Sequence, residues 1–176
     1  MTTPARKIRS VGQAEYRAEA EAKLESKGDV AFVMRSRPRA MLIACPDGCG
    51  ETLSINLDPR MGKAWQLDTR SGELTLYPSV WREGGCESHF IIWRNRILWC
   101  GRYIAGNIEP PEDYTLRDRV RHSLDQRHAR SASEIAKTID ELVWDVERAA
   151  RALVSFGKAT AHKVNGSWHY LLRSDR

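Results

Sequence analysis

The spacing of apolar positions changes along the chain. Between Asp29 and Gly101 they come in short or alternating runs: Val30–Met34, Ala40–Cys45, Thr52–Leu57, Trp65–Leu67, Leu74–Tyr77, His89–Trp93 and Ile97–Cys100. Leu53, Ile55 and Leu57 share one face of a strand, as do Leu74 and Leu76. Arg37-Pro38, Asp47-Gly48, Asp58-Pro59, Ser71-Gly72, Gly84-Gly85 and Arg94-Asn95 punctuate the runs. Short strands separated by such turns predict a small antiparallel β domain.

After Pro110-Pro111 the period lengthens to about 3.6, as in an α-helix. Leu116, Val120 and Leu124 mark one helix face. Ser131-x-x-Glu134 is a capping box that opens a second helix containing Ile135 and Ile139. Val143, Val146, Ala150, Leu153 and Phe156 mark a third, stopped by Gly157. Asn165-Gly166 then joins two strand-like runs, Lys158–Val164 and Ser167–Leu172, which is a strong hairpin signal. Three helices followed by a hairpin predict a winged helix-turn-helix. Upstream, residues 13–27 are rich in Ala, Glu, Arg and Lys, and read as a solvated helix ended by Gly28.

The expected organisation is therefore α+β: a small antiparallel zinc-binding β domain followed by a winged helix-turn-helix. A helical segment spans 1–28, the β domain with the candidate active site 29–104, a linker 105–113 and the winged helix 114–176.

Composition narrows the class. The chain has 176 residues, 41% apolar and 29% charged, with mean hydropathy -0.52. This is globular rather than disordered. The longest apolar run, Ala40–Cys45, is far too short to cross a bilayer. The first 28 residues hold no apolar stretch, so no secretory signal is expected, and the protein reads as cytoplasmic. There the four cysteines would stay reduced, which leaves metal binding, catalysis or burial as their roles.

The net charge of +5 sits mostly after residue 113, where 12 Lys/Arg face 8 Asp/Glu. Yet the third C-terminal helix, 141–156, carries Glu141, Asp145 and Glu147 against Arg148 and Arg151. A DNA-reading helix must neutralise phosphate, so protein docking is favoured over nucleic-acid binding. Lys158, His162 and Lys163 remain candidates for phosphate contact. His122, His128 and His169 read as solvated surface.

The cysteines carry the first chemistry. Cys45-Pro46-Asp47-Gly48-Cys49-Gly50 is a variant zinc knuckle, and Cys86 and Cys100 also adjoin glycine-containing turns. Cys45, Cys49, Cys86 and Cys100 would make a closed, structural Zn2+ site of four thiolates. Four buried free thiols are the simpler alternative. His89 is a fifth candidate ligand; bound to the metal, it would turn the site toward zinc-dependent hydrolysis.

The second chemistry is a serine and a histidine. A hairpin of Leu74–Trp81 and Glu87–Trp93 centred on Gly84 places Ser79 opposite His89, with Cβ atoms about 5 Å apart. That separation suits a nucleophile–base pair and equally a structural hydrogen bond. Gly84, Gly85 and Cys86 amides are candidate oxyanion donors. Asp58 and Asp68 are candidates for a third, orienting carboxylate. Trp65, Trp81, Trp93 and Trp99 are expected in the β-domain core.

Seven blocks carry a resemblance: Gly28-Asp29-Val30, Arg37-Pro38-Arg39, Cys45 to Gly50, Asn56-Leu57-Asp58-Pro59, Pro78-Ser79-Val80-Trp81-Arg82, Gly85-Cys86-Glu87-Ser88-His89-Phe90 and Trp99-Cys100-Gly101. In this order, over residues 28–102, they resemble a bacterial family encoded beside E1-like, E2-like and ubiquitin-like proteins in bacterial ubiquitination-like (Bub) operons. The resemblance implies a serine-type peptidase that processes or deconjugates a ubiquitin-like protein, with the E1-like and E2-like operon proteins as further partners. It also implies a zinc site at the cysteines and Ser79 and His89 as the functional pair. Relatives often read Cys-Pro-x-Cys-x-Cys in the first knuckle; here Asp47 and Gly48 stand in the middle. The C-terminal helices lie outside the resemblance. A non-catalytic adaptor that binds protein or nucleic acid is the alternative from a different class.

Overall fold

The computed structural model describes residues 3–174, so the outermost residues of two expected segments, 1–2 and 175–176, lie outside it. The chain divides into two compact units, one ending at Pro110 and one beginning at Pro111.

The first unit holds two four-stranded sheets. One contains β1 (Arg9–Ala14), β2 (Asp29–Arg35), β3 (Arg37–Ala44) and β4 (Thr52–Asn56), in that spatial order. The other contains β5 (Gln66–Asp68), β6 (Thr75–Trp81), β7 (His89–Trp93) and β8 (Arg96–Trp99), also in order. All neighbours are antiparallel except β1 and β2, which run parallel. The apolar runs explain the pairing. Val30, Met41, Ile43 and Ile55 of the first sheet pack with Leu76, Val80, Phe90, Ile92, Ile97 and Trp99 of the second. Phe90 is fully buried there, and cutting a buried phenylalanine to alanine costs about 3–5 kcal/mol. Ala31 and Leu42 face the opposite side of the first sheet and pack on Ala20 of α1 (Arg17–Glu21). Both faces of β3 are thus covered, so Ala40–Cys45 reads as a continuous apolar run rather than an alternating one.

The helix expected over 13–27 is corrected. Only Arg17–Glu21 is helical, and Arg9–Ala14 is a strand. Arg9–Ala14 contains Ser10, Val11 and Gly12, weak helix formers, and pairs with β2 instead. The segment after α1 is fixed by Asp29, whose buried carboxylate accepts from the Glu25 and Ser26 amides and pairs with the Arg9 guanidinium at 2.8 Å. Arg37-Pro38, expected as a turn, lies inside β3. The turn is at Ser36 (φ 55°), and Pro38 sits where the β2–β3 register shifts. An irregularity tolerates proline because no ladder N–H is needed there.

The second unit contains α2 (Tyr114–Ser123), β9 (Arg130–Ser131), α3 (Ala132–Ile139), α4 (Val143–Ser155), β10 (Ala159–Val164) and β11 (Ser167–Leu172). The Ser131/Glu134 capping box forms in full. Asn165 and Gly166 both take positive φ, 49° and 82°, as a tight two-residue hairpin turn requires. The three strands order as β10-β11-β9. Leu116, Val120, Ile135, Val146, Leu153 and Tyr170 form the core. The acidic character expected of α4 is neutralised within the helix. Asp145 and Glu147 are buried, Asp145 pairing with Arg148 at 3.3 Å and Glu147 with Arg151. Among the described residues no helix is long and apolar enough to cross a membrane.

Candidate functional site

The loop from Arg82 to Ser88 links β6 to β7 and brings two features together. It is longer than the sequence suggests, because the Arg82 amide closes it on the Ser88 carbonyl at 2.9 Å. Its centre is therefore Gly85 rather than Gly84. Trp81 pairs with His89 and Val80 with Phe90, while Leu76 keeps Ile92. The register shifts between Leu76 and Val80, where Tyr77, Pro78 and Ser79 oppose Ile91 alone. The expected Ser79–His89 backbone pairing is thus corrected. The side chains still meet. Ser79 lies two residues back from Trp81, and diagonal neighbours on a sheet face are within reach of a long side chain. His89 Nε2 stands 3.1 Å from Ser79 Oγ.

Two contacts and an open pocket define the surroundings of this pair. The Trp65 indole N–H donates to the Ser79 carbonyl at 3.3 Å, holding the bulged backbone. The Trp81 ring lies 5.9 Å from the imidazole, centroid to centroid. Trp81 was expected in the core but is 62% exposed, whereas Trp93 and Trp99 are buried. Burial lowers the His89 pKa from its ordinary value, because desolvation penalises the imidazolium. The imidazole also faces an open pocket of about 510 Å³ walled by Trp81, Gly84, Glu87, Cys100 and Arg102.

Neither candidate third carboxylate reaches the pair. Asp58 is buried among Arg37, Arg39 and Arg60, and Asp68 pairs with Arg70 at 2.9 Å. Among the described residues, Ser79 is the only hydrogen-bond partner of the His89 side chain.

The same loop carries Cys86 to the turn between β3 and β4. The Cys45, Cys49 and Cys86 sulfurs all lie within 4.8 Å of one another. Cys45 and Cys86 stand 3.6 Å apart and remain free thiols. Two sulfurs on a tetrahedral zinc with Zn–S about 2.3 Å would be separated by about 3.8 Å, so the spacing and the soft donor set fit that ion. Ser88, fully buried, lies 3.4 Å from Cys45 Sγ and 3.0 Å from Cys86 Sγ. Burial pushes the Cys45 thiol pKa up. Burial also opposes the Cys86 thiolate, but hydrogen bonds from the Ser88 hydroxyl and amide outweigh it, and that pKa falls.

Arg82 Nη1 donates to both Cys49 and Cys86 at 3.5 Å. Gly85 makes this possible. A Cβ there would stand 2.6 Å from the guanidinium, and its φ is 61°.

Cys100, expected as a fourth ligand, is not in the cluster. Its amide donates to the His89 carbonyl at 2.8 Å, which sets it across from His89 just past the end of β8 and against the pocket. Position on the β7–β8 ladder, not proximity to a turn, decides where its thiol goes. The roles of Trp65 and Arg82 went unnoticed in the sequence. For Arg82, the pairing of Arg with Gly-Gly-Cys was the available signal.

A hydroxyl within hydrogen-bond distance of a neutral imidazole, at the edge of an open pocket on a β hairpin, is the arrangement used by serine-type hydrolases. The family comparison agrees with that class. Residues 16–100 match the model of BubE, the bacterial ubiquitination-like system serine protease family. The matched stretch contains Ser79, His89 and all four cysteines, and ends before the second unit. Comparison with curated proteins and with solved structures returned no match.

Proposed function

We propose that the protein is a serine-type peptidase that processes or deconjugates a bacterial ubiquitin-like protein, with Ser79 as nucleophile and His89 as general base. The 3.1 Å contact between Ser79 Oγ and His89 Nε2 carries this proposal. Nε2 takes the Ser79 proton as Oγ attacks the scissile carbonyl, and returns it to the leaving amine. The Trp65 bond to the Ser79 carbonyl orients the nucleophile's backbone. Gly84 lines the pocket and is positioned for the narrow approach of a substrate chain. The pair would work as a dyad: burial keeps the base neutral, and among the described residues no carboxylate bonds the imidazole to stabilise its protonated form.

Cys45, Cys49 and Cys86 would hold a structural zinc. Bound there, the ion would tie the β3–β4 turn to the loop that spaces Ser79 and His89. His89 directs Nε2 at Ser79 rather than at the sulfurs, so the dyad is favoured over a zinc-dependent hydrolase with His89 as ligand. The second unit, read as a winged helix, would dock a partner from the same ubiquitin-like system, in the cytoplasm. Its α4 charges are internally paired, which favours protein over nucleic acid.

Incubation with a ubiquitin-like precursor from the same operon, followed by mass spectrometry, tests the proposal. Ser79→Ala and His89→Ala should each nearly abolish cleavage, and the double variant should be no worse, because a pair acting as one unit is not additive. Zinc content should be unchanged in both. Loss of zinc in His89→Ala together with full activity in Ser79→Ala would establish the zinc hydrolase instead. Absence of cleavage by the unaltered protein would favour a binding module.

A further inference from the structure

Asp58 sits at the start of the loop between β4 and β5, with its side chain 1% exposed. Three guanidiniums converge on it. Arg60 donates from Nε and Nη2, at 3.0 Å and 2.7 Å to its two oxygens; Arg39 donates to Oδ2; and Arg37 approaches to 3.5 Å. A fourth arginine, Arg35, lies over the Tyr16 ring at 5.4 Å. One carboxylate therefore serves three guanidiniums, and Arg35 adds a fourth positive charge beside them. Arg35 has no acidic partner among the described residues, and the buried Arg39 Nε has no hydrogen-bond partner. A concavity of about 300 Å³ opens here, with Val33 and Met61 as apolar walls and Arg35 and Arg39 at its edge. Met61 is 78% exposed.

We infer that this concavity is a docking site for an acidic segment of a protein partner, distinct from the Ser79/His89 pocket. A planar guanidinium fork matches a carboxylate and forms paired, charge-assisted hydrogen bonds with it. The unbalanced positive charge supplies the complementarity, and Asp58 holds the forks in place before anything binds. The volume is that of one or two side chains. Its apolar walls suit an aliphatic residue beside the acid, and methionine adapts to such contacts. Nucleic acid fits less well. Binding a single strand uses exposed aromatic faces along a basic groove, and here Tyr16 is already covered by Arg35 while the arginines converge on one point.

Fluorescence polarisation on the intact protein tests the site with three labelled probes: a peptide of glutamates around a single leucine, its glutamine counterpart, and a thymidine oligonucleotide. The glutamate peptide should bind and should weaken as salt shortens the screening length from about 10 Å at 0.1 M to about 3 Å at 1 M. The glutamine peptide and the oligonucleotide should bind more weakly. Arg35→Gln combined with Arg37→Gln leaves the Arg39 and Arg60 contacts to Asp58 in place and brings no second carboxylate beside it. It should weaken the glutamate peptide roughly tenfold or more, the loss expected when a hydrogen bond to a charged group is removed, with little change in the thermal melt. Equal binding of both peptides, tighter binding of the oligonucleotide, no binding of any probe, or full binding by the double variant would each overturn the inference.

Discussion

At the level of single residues, burial sets the behaviour of two ionisable groups. An imidazole can act as a base only when neutral, and desolvation lowers the pKa of His89, the proposed base. Cleavage should therefore hold as pH falls through about 6.5, the ordinary histidine value, and decline only below it. A pH profile of kcat/KM on the ubiquitin-like precursor measures this; an acidic limb above the ordinary value would contradict it. Asp29 is the opposite case. The Arg9 hydrogen bond lowers its pKa from 3.8 to about 2 despite burial. A depressed carboxylate stabilises the fold above its unfolded pKa, and that contribution is lost as pH falls toward the folded value. The shift corresponds to about 2 kcal/mol, lost between about pH 4 and pH 2. Acid unfolding followed by tryptophan fluorescence should show it. Asp29→Asn should remove this part of the pH dependence and lower stability near neutrality.

Among the elements, those that could be read from the sequence are those whose partners lie nearby in the chain. Alternation located β4, the capping box located α3, and Asn165-Gly166 located the β10–β11 hairpin. The strand β1 is not legible in the sequence because its parallel partner lies beyond a crossover and its run Arg-Ser-Val-Gly-Gln-Ala shows no apolar alternation. At the site, proximity of Ser79 and His89 could be anticipated from a hairpin, but the register could not. The register goes with a loop that includes Cys86 and Ser88, both set against the cysteine cluster. The fourth cysteine was misplaced for the same reason: adjacency to a glycine says nothing about ladder position. The bulge at Ser79 gives an element-level prediction. Trp65→Phe keeps the ring and removes the bond to the Ser79 carbonyl. It should lower kcat by roughly tenfold, the equivalent of one hydrogen bond of about 1–1.5 kcal/mol, with little change in KM and a small change in melting temperature.

For the molecule as a whole, the two units have separate cores, one around Phe90 and one around Val146. Only the first contains the cysteine cluster. Structural zinc contributes on the order of 10–16 kcal/mol of apparent binding free energy in small domains. Calorimetry of the intact protein should show two transitions. A chelator should lower one strongly and leave the other in place; a single transition unmoved by chelator would rule out a structural metal. Cys45→Ser should reproduce the chelator effect.

The loop from Arg82 to Ser88 joins both candidate sites, since its ends flank Ser79 and His89 and its middle carries Cys86 against Cys45 and Cys49. Inhibitor profiles are the usual first means of sorting peptidases into mechanistic classes, and here they would mislead. If Ser79 is the nucleophile and a metal ties the loop down, maleimides, mercurials and metal chelators should all abolish cleavage by releasing the loop, although the proposed attacking atom is oxygen. Thiol sensitivity in a crude assay would suggest a cysteine peptidase, and chelator sensitivity a metallopeptidase. A reagent that labels Ser79 itself would test the proposed class directly.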